Sequence, residues 1–127
     1  MHITIDKDIK ALIFDVDGTL ADSMMVHLES WKLVGGKYGF YYTREDWERY
    51  AGMSGQEIVG VINHKFGLRL DPDRISQEKE AAFLENLDQV KPIQPVVSVM
   101  EEYQGRLPIA AGTGGFRRVA TKILDSL

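Results

Sequence analysis

Apolar and polar positions change their period more than once along this 127-residue chain. Ala11 to Phe14 is a short unbroken apolar run, which reads as a buried strand. The spacing then turns helical. Met24, Met25, Leu28, Trp31 and Val34 predict a helix that Gly35-Gly36 ends or kinks. Thr43 is the N-cap of a short helix carrying Trp47 and Tyr50. Ser54-Gly55-Gln56-Glu57 has the form of a capping box and opens a helix with the stripe Ile58, Val61, Ile62 and Phe66. Asp71-Pro72, with proline at the first helical position, starts another that runs towards Val90. Lys91-Pro92-Ile93-Gln94-Pro95 reads as a linker, followed by a helix from Pro95 to Gln104 that Gly105 closes. A second short strand lies within Arg106 to Ala111 and ends in Gly112-Thr113-Gly114-Gly115. A last helix carries Val119, Ile123, Leu124 and Leu127. The segments predict an all-helical insertion, residues 22–91, between two core pieces, 1–21 and 92–127.

The first strand delivers Asp15 and Asp17 to its C-terminal end, followed at once by Gly18. In open α/β sheets that end of a strand is where ligands bind. Two carboxylates one residue apart there suit a cation site, or a nucleophile paired with an acid, and they are read here as both. A helix-loop-helix calcium site would need a glycine at its sixth place and a glutamate at its twelfth. Counted from Asp15, those places hold Leu20 and Val26. The Gly112–Gly115 turn is a second candidate element, because a hydroxyl and backbone N–H groups at a strand end beside a helix N-terminus make an anion cradle. Arg117 and Arg118 stand just inside that helix, either within reach of an anion or on a solvated face.

Composition narrows the partners. Apolar residues make up 44 % and charged residues 27 %, ordinary for a soluble globular domain. A net charge of −4 offers no basic field to nucleic acid or to anionic lipid, so neither is an expected partner. An anionic substrate would need a metal or a few placed cations. The absence of cysteine excludes disulfides and thiol chemistry. The first residues lack the features of a signal peptide, and no apolar run approaches spanning length, so a cytoplasmic location is expected. His2 and His64 read as plain surface residues.

Ala11-Leu-Ile-Phe-Asp-Val-Asp-Gly-Thr-Leu-Ala-Asp-Ser23 resembles the first motif of the haloacid dehalogenase-like phosphatases, and Gly112-Thr113-Gly114-Gly115 resembles their second. From Lys10 to Leu127 the chain is similar to the first two-thirds of the β-phosphoglucomutase-like branch, and most of all to small bacterial members that hydrolyse sugar phosphates such as fructose 1-phosphate. The resemblance implies an α/β fold: a Rossmann-like parallel-sheet core, here partial, with an inserted helical cap. It implies Mg2+ held by the Asp15 carboxylate and the Asp17 backbone carbonyl. Asp15 would attack phosphorus, and water would hydrolyse the resulting aspartyl-phosphate. Asp17 would protonate the leaving alkoxide and then take a proton from that water. The two acids therefore need separated proton affinities, with Asp17 able to hold a proton. Thr113 corresponds to the phosphate-binding hydroxyl, with Gly114 beside it. His27, followed four residues later by Trp31, resembles the histidine of that branch and would line the cleft between core and cap. Lys79 resembles a cap lysine that contacts substrate, the alternative being a solvated helix lysine. Trp47 and Tyr50 are read as cap packing.

Two departures qualify the expectation. The mutases of the branch place an arginine soon after a Gly-x-Ser, to grip a second phosphate; here Gly52-Met53-Ser54 is followed by Gly55. That favours a phosphatase over a hexose-phosphate mutase. The later lysine and the later acidic strand of such enzymes have no counterpart before Leu127. An incomplete form is therefore expected, with little turnover by itself and with self-association through an open strand edge. The reading from another class is a non-catalytic phosphate-binding or assembly module.

Overall fold

The computed structural model describes residues 3–127, so the reading of His2 lies outside the described residues. Two strands and a helix come first: β1 (Leu12–Asp15), β2 (Ala21–Asp22) and α1 (Met24–Tyr38). Three helices follow, α2 (Arg44–Arg49), α3 (Gly55–Phe66) and α4 (Pro72–Glu85). Then come β3 (Lys91–Pro92), α5 (Gln94–Tyr103), β4 (Ile109–Gly112) and α6 (Arg117–Ser126). β1 and β4 pair in parallel, with Leu12 opposite Ile109 and Asp15 opposite Gly112. This register puts the ends of the two sequence motifs side by side.

The first strand is buried on one face only. Phe14 packs inward with Leu20, Val97 and Val99, whereas Ile13, on the opposite side of the pleat, is 80 % exposed. The expected linker at 91–95 is partly a strand. β3 pairs antiparallel with β2, and the Ile93 N–H donates to the Leu20 carbonyl at 2.9 Å. The chain leaves and re-enters the core at adjacent points, so the backbone groups of both crossings satisfy one another.

α1 continues past Gly35-Gly36 rather than ending there, and stops at Gly39, whose φ of 85° is the left-handed helix end that glycine favours. Gly35 is needed for packing: a Cβ there would run into the Phe40 carbonyl oxygen, whereas one at Gly36 would meet open space. Gly35→Ala is expected to cost about 1–3 kcal/mol from steric overlap. Gly36→Ala should instead gain up to about 1 kcal/mol from helix propensity. Urea titration of the two variants checks the contrast.

α4 ends at Glu85, before the expected Val90, and a single 3-10 turn over Leu87–Gln89 follows. The Asn86 amide donates to the Ala82 carbonyl at 3.1 Å and competes with continued helix. The reciprocal capping box forms at Thr43 and Asp46. At Ser54 the structure shows one half of a box, with the Glu57 N–H donating to Ser54 Oγ at 3.2 Å. Leu28, Trp31, Val34, Ile58, Ile62 and Ile75 form the core of the α1–α4 layer. A second cluster, including Val16, Val26, Phe83, Val119 and Ile123, joins that layer to α6 beneath the end of β1.

Candidate active site

β1 ends at Asp15, and the chain then turns tightly at Gly18, where φ is 79°. The Val16 carbonyl accepts from the N–H groups of Thr19, Leu20 and Ala21, and the Gly18 N–H donates to the Ala21 carbonyl. These bonds hold the turn and leave the Asp17 carbonyl out of it. Asp15 stays exposed, with Thr19 Oγ1 3.4 Å from its Oδ2.

Asp17 is held much more firmly. Its Oδ1 accepts from Ser23 Oγ and lies against His27 Nε2, both at 2.6 Å. Ser23 occupies the N-cap position of α1 but makes no cap bond, because its hydroxyl is turned to Asp17. The His27 ring is clamped between Phe83, 4.1 Å away between centroids, and Trp47, 5.1 Å away, both nearly parallel to it. Its far nitrogen, Nδ1, is 2.6 Å from Lys79 Nζ, and Lys79 Nζ is 3.0 Å from Glu80 Oε1.

An ammonium only donates, so Nδ1 must accept and Nε2 must carry the proton that points at Asp17. Burial, then the Lys79 charge, push the His27 pKa below its ordinary value and keep the ring neutral. Burial also lowers Lys79, against the opposing pull of Glu80. For Asp17, burial alone would raise the carboxyl. The hydrogen bonds from His27 and from the Ser23 hydroxyl, with the Lys79 charge behind them, outweigh it, so the net direction is down. Asp17 was expected to be able to hold a proton; as built, it favours the ionised, proton-accepting form.

The shift of His27 has a measurable consequence. Below the ordinary value of 6.5 the unfolded chain binds a proton that the folded chain refuses. Stability is therefore expected to fall as pH drops from about 7 towards 5. Thermal melts across that range should show the loss in the native sequence and a flatter profile in His27→Gln. Equal slopes would contradict the assignment.

Asp15, Asp17, His27, Lys79, Thr113 and Gly114 all line one cavity of about 250 Å³. Lys79, only 4 % exposed, is not the solvated helix lysine of the alternative reading, because its charge is enclosed by partners on α1 and α4. Arg117 and Arg118 are exposed and line a different cavity, of about 440 Å³. In the glycine-rich turn, the Gly115 N–H donates to Thr113 Oγ1 at 3.0 Å, so one donor of the expected cradle is used inside the loop. α6 begins with no side-chain cap at Phe116, which leaves its first-turn N–H groups to other partners. At Gly114 a Cβ would lie 3.0 Å from the Gly52 carbonyl oxygen, so glycine is what lets the turn before α3 rest on this loop.

Sequence reasoning missed Ser23 and Glu80. Ser23 looks like any helix-capping serine, and Glu80 like one more acid on a helix face. Trp47 and Tyr50, expected as packing, also line the cavity.

Several known proteins are similar to this chain. Fructose-1-phosphate phosphatase YqaB of Escherichia coli is 36 % identical over 117 residues, covering 91 % of this chain and 62 % of that protein. Among solved structures, a hydrolase from Pseudomonas syringae superposes with a TM-score of 0.76 at 23 % identity, covering 91 % of this chain and 56 % of the other. A β-phosphoglucomutase from Clostridium difficile gives 0.75 at 20 % identity, over 92 % and 56 %. At such identities these two structures speak for the fold: a Rossmann-like core with a helical cap. This chain spans about 60 % of the length of the curated relatives it matches. The sequence profile of one family matches from residue 9 to residue 127. With the paired acids at the end of β1 and the glycine-rich turn beside them, the chain belongs to the haloacid dehalogenase-like hydrolases.

Proposed function

We propose that this chain carries the first catalytic elements of a magnesium-dependent phosphatase that hydrolyses a small phosphorylated sugar through an aspartyl-phosphate. The observation that carries the reading is the register of β1 on β4. Opposing Asp15 to Gly112 brings an exposed carboxylate and the Thr113 loop to one cavity. Asp15 is the nucleophile: it is exposed and its carboxylate faces the cavity from a fixed strand end. Thr113 and the uncapped start of α6 hold the phosphoryl oxygens. Asp17 is the proton carrier. With Oδ1 held by Ser23 and His27, its other oxygen is left to take a proton from the attacking water.

Among the described residues no group of three or more His, Cys, Asp or Glu gathers to form a metal cage. The Asp15 carboxylate and the Asp17 carbonyl, spared by the turn, are nonetheless hard oxygen donors of the kind Mg2+ takes together with water and substrate phosphate. When bound there, Mg2+ would offset the charge of the phosphoryl oxygens and ease the approach of an anionic nucleophile.

A phosphatase is favoured over a mutase by Gly55. A Cβ there would sit 2.8 Å from Ser76 Oγ and 3.1 Å from Ser76 Cβ, so the position serves close packing of α3 on α4 and offers no side chain to a second phosphate. The name of the E. coli relative supports a sugar monophosphate as substrate. We assign residues 1–21 and 92–127 to the core and 22–91 to the cap, and the cytoplasm as location. Among the described residues no helix is long and apolar enough to cross a membrane.

The test is phosphate release from fructose 1-phosphate by the gene product at its full natural length, with and without Mg2+. Metal-dependent release supports the reading; phosphate binding without release in the presence of Mg2+ would replace it with the non-catalytic module. The 127 residues by themselves are expected to turn over slowly and to self-associate through the bare face around Ile13. Sedimentation velocity that finds only monomer would argue against that association.

A further inference from the structure

Beside the catalytic cavity lies a larger one, of about 440 Å³, between one side of α4 and the start of α6. Ala81 and Leu84 on α4, with Phe116 and Val119 across from them, give this groove an apolar lining. Arg117 and Arg118 are its cations, and both are exposed. Small-molecule sites run to about 300–1,000 Å³ and combine an apolar lining with a few polar groups, as this one does. Glu80 also borders the groove. Its Oε1 accepts from Lys79 at 3.0 Å and its Oε2 is buried, so its charge is compensated from within. The arginines have no such compensation. Arg44, Arg74 and Arg106 each stand 3.4–3.9 Å from a glutamate, whereas among the described residues Arg117 and Arg118 form no ion pair.

We infer that this groove is a second ligand site, for a small organic anion: a phosphate or carboxylate gripped by Arg117 and Arg118, with an apolar body resting on Leu84 and Phe116. A guanidinium fork pairs with two oxygens of such a group at once. The body adds apolar burial that a bare phosphate ion cannot supply. The site is distinct from the catalytic one. Asp15, Asp17, His27, Lys79 and Thr113 line the smaller cavity and not this groove, while Glu80, Phe116 and Val119 border both and form the partition. Binding here does not require the phosphatase reading to hold.

Nuclear magnetic resonance titration of the ¹⁵N-labelled chain with phenylphosphonate tests this, because a phosphatase cannot hydrolyse its C–P bond. Inorganic phosphate and benzyl alcohol supply the two halves separately. Saturable shifts are expected at the amides of Ala81, Leu84, Arg118 and Val119, with a Kd at least about 10-fold below that of either half. Arg117→Ala/Arg118→Ala should raise that Kd at least about 10-fold, and being exposed, the two positions can change without loss of the fold. Arg117→Lys/Arg118→Lys keeps the charge without the fork and should fall between. Thr113→Val, which alters only the catalytic cavity, should bind as the native chain does. Shifts confined to Thr113–Gly115 would place the ligand in the catalytic cavity and overturn the proposal. So would inorganic phosphate that binds as tightly as phenylphosphonate, or an alanine variant with native affinity. The gene product at its full natural length should give the same shifts, and their absence there would equally overturn the site.

Discussion

Asp15→Asn is expected to lower Mg2+-dependent phosphate release by the full-length protein on the order of 10⁴-fold or more. The two side chains have nearly the same shape, so the turn at Gly18 and the pairing of β1 with β4 should survive; circular dichroism and the melting temperature serve as the check. The carboxylate charge is what disappears, and with it both the attacking oxygen and a ligand proposed for the metal. The loss should fall on kcat, because the Thr113 loop proposed to hold phosphate is untouched. Rapid quenching with labelled substrate adds a second readout: phosphate bound to protein in the native enzyme and none in the variant. Full activity in Asp15→Asn would remove the nucleophile from the scheme. Asp17→Asn should also be severe, but it strikes a residue that Ser23 and His27 anchor, so part of its effect will be conformational.

Phe83→Ala is expected to be the most damaging of these substitutions for stability, at about 3–5 kcal/mol. Phe83 is 0 % exposed, belongs to the cluster that joins α4 to α6, and forms one face of the clamp on His27. Its removal empties a large volume between elements on either side of the site. Phe83→Leu retains most of that volume and should cost under about 1.5 kcal/mol. Urea titrations of both variants give the comparison. If Phe83→Ala behaved like a surface substitution, the clamp and the cluster around it would be wrong. A freed His27 ring should also let Asp17 move, so Phe83→Ala is expected to slow turnover even where it remains folded.

Much of this architecture could be read from short-range chemistry. The acids at Asp15 and Asp17, the caps at Thr43, Ser54 and Asp71, and the apolar stripe of α3 all depend on groups within a turn or two of one another, and the spacing of residues encodes such bonds directly. The placement of Thr113 and Gly114 at the site also followed, once two strands were taken as neighbours in a parallel sheet. Gly35-Gly36 read less clearly, because propensity reports the local cost of glycine and says nothing of the Phe40 carbonyl that folds back on Gly35. β2 and β3, two residues each, have no pattern of their own and form because the chain crosses between layers twice at one place.

The chain's own order of residues settles that two carboxylates stand at the end of an apolar strand, that helices fill the middle, and that a glycine-rich turn follows a second strand. Folding decides what those carboxylates are. Lys79 and His27 lie 52 positions apart, yet their nitrogens are 2.6 Å from each other, and through that contact the state of Asp17 depends on a helix far along the chain. Ser23 trades its helix cap for Asp17, and Glu80 keeps one buried oxygen unpaired, choices made only when distant elements close around the same small space. Local pattern specifies which groups are available, while burial and charge, which depend on every neighbour at once, determine what each can do.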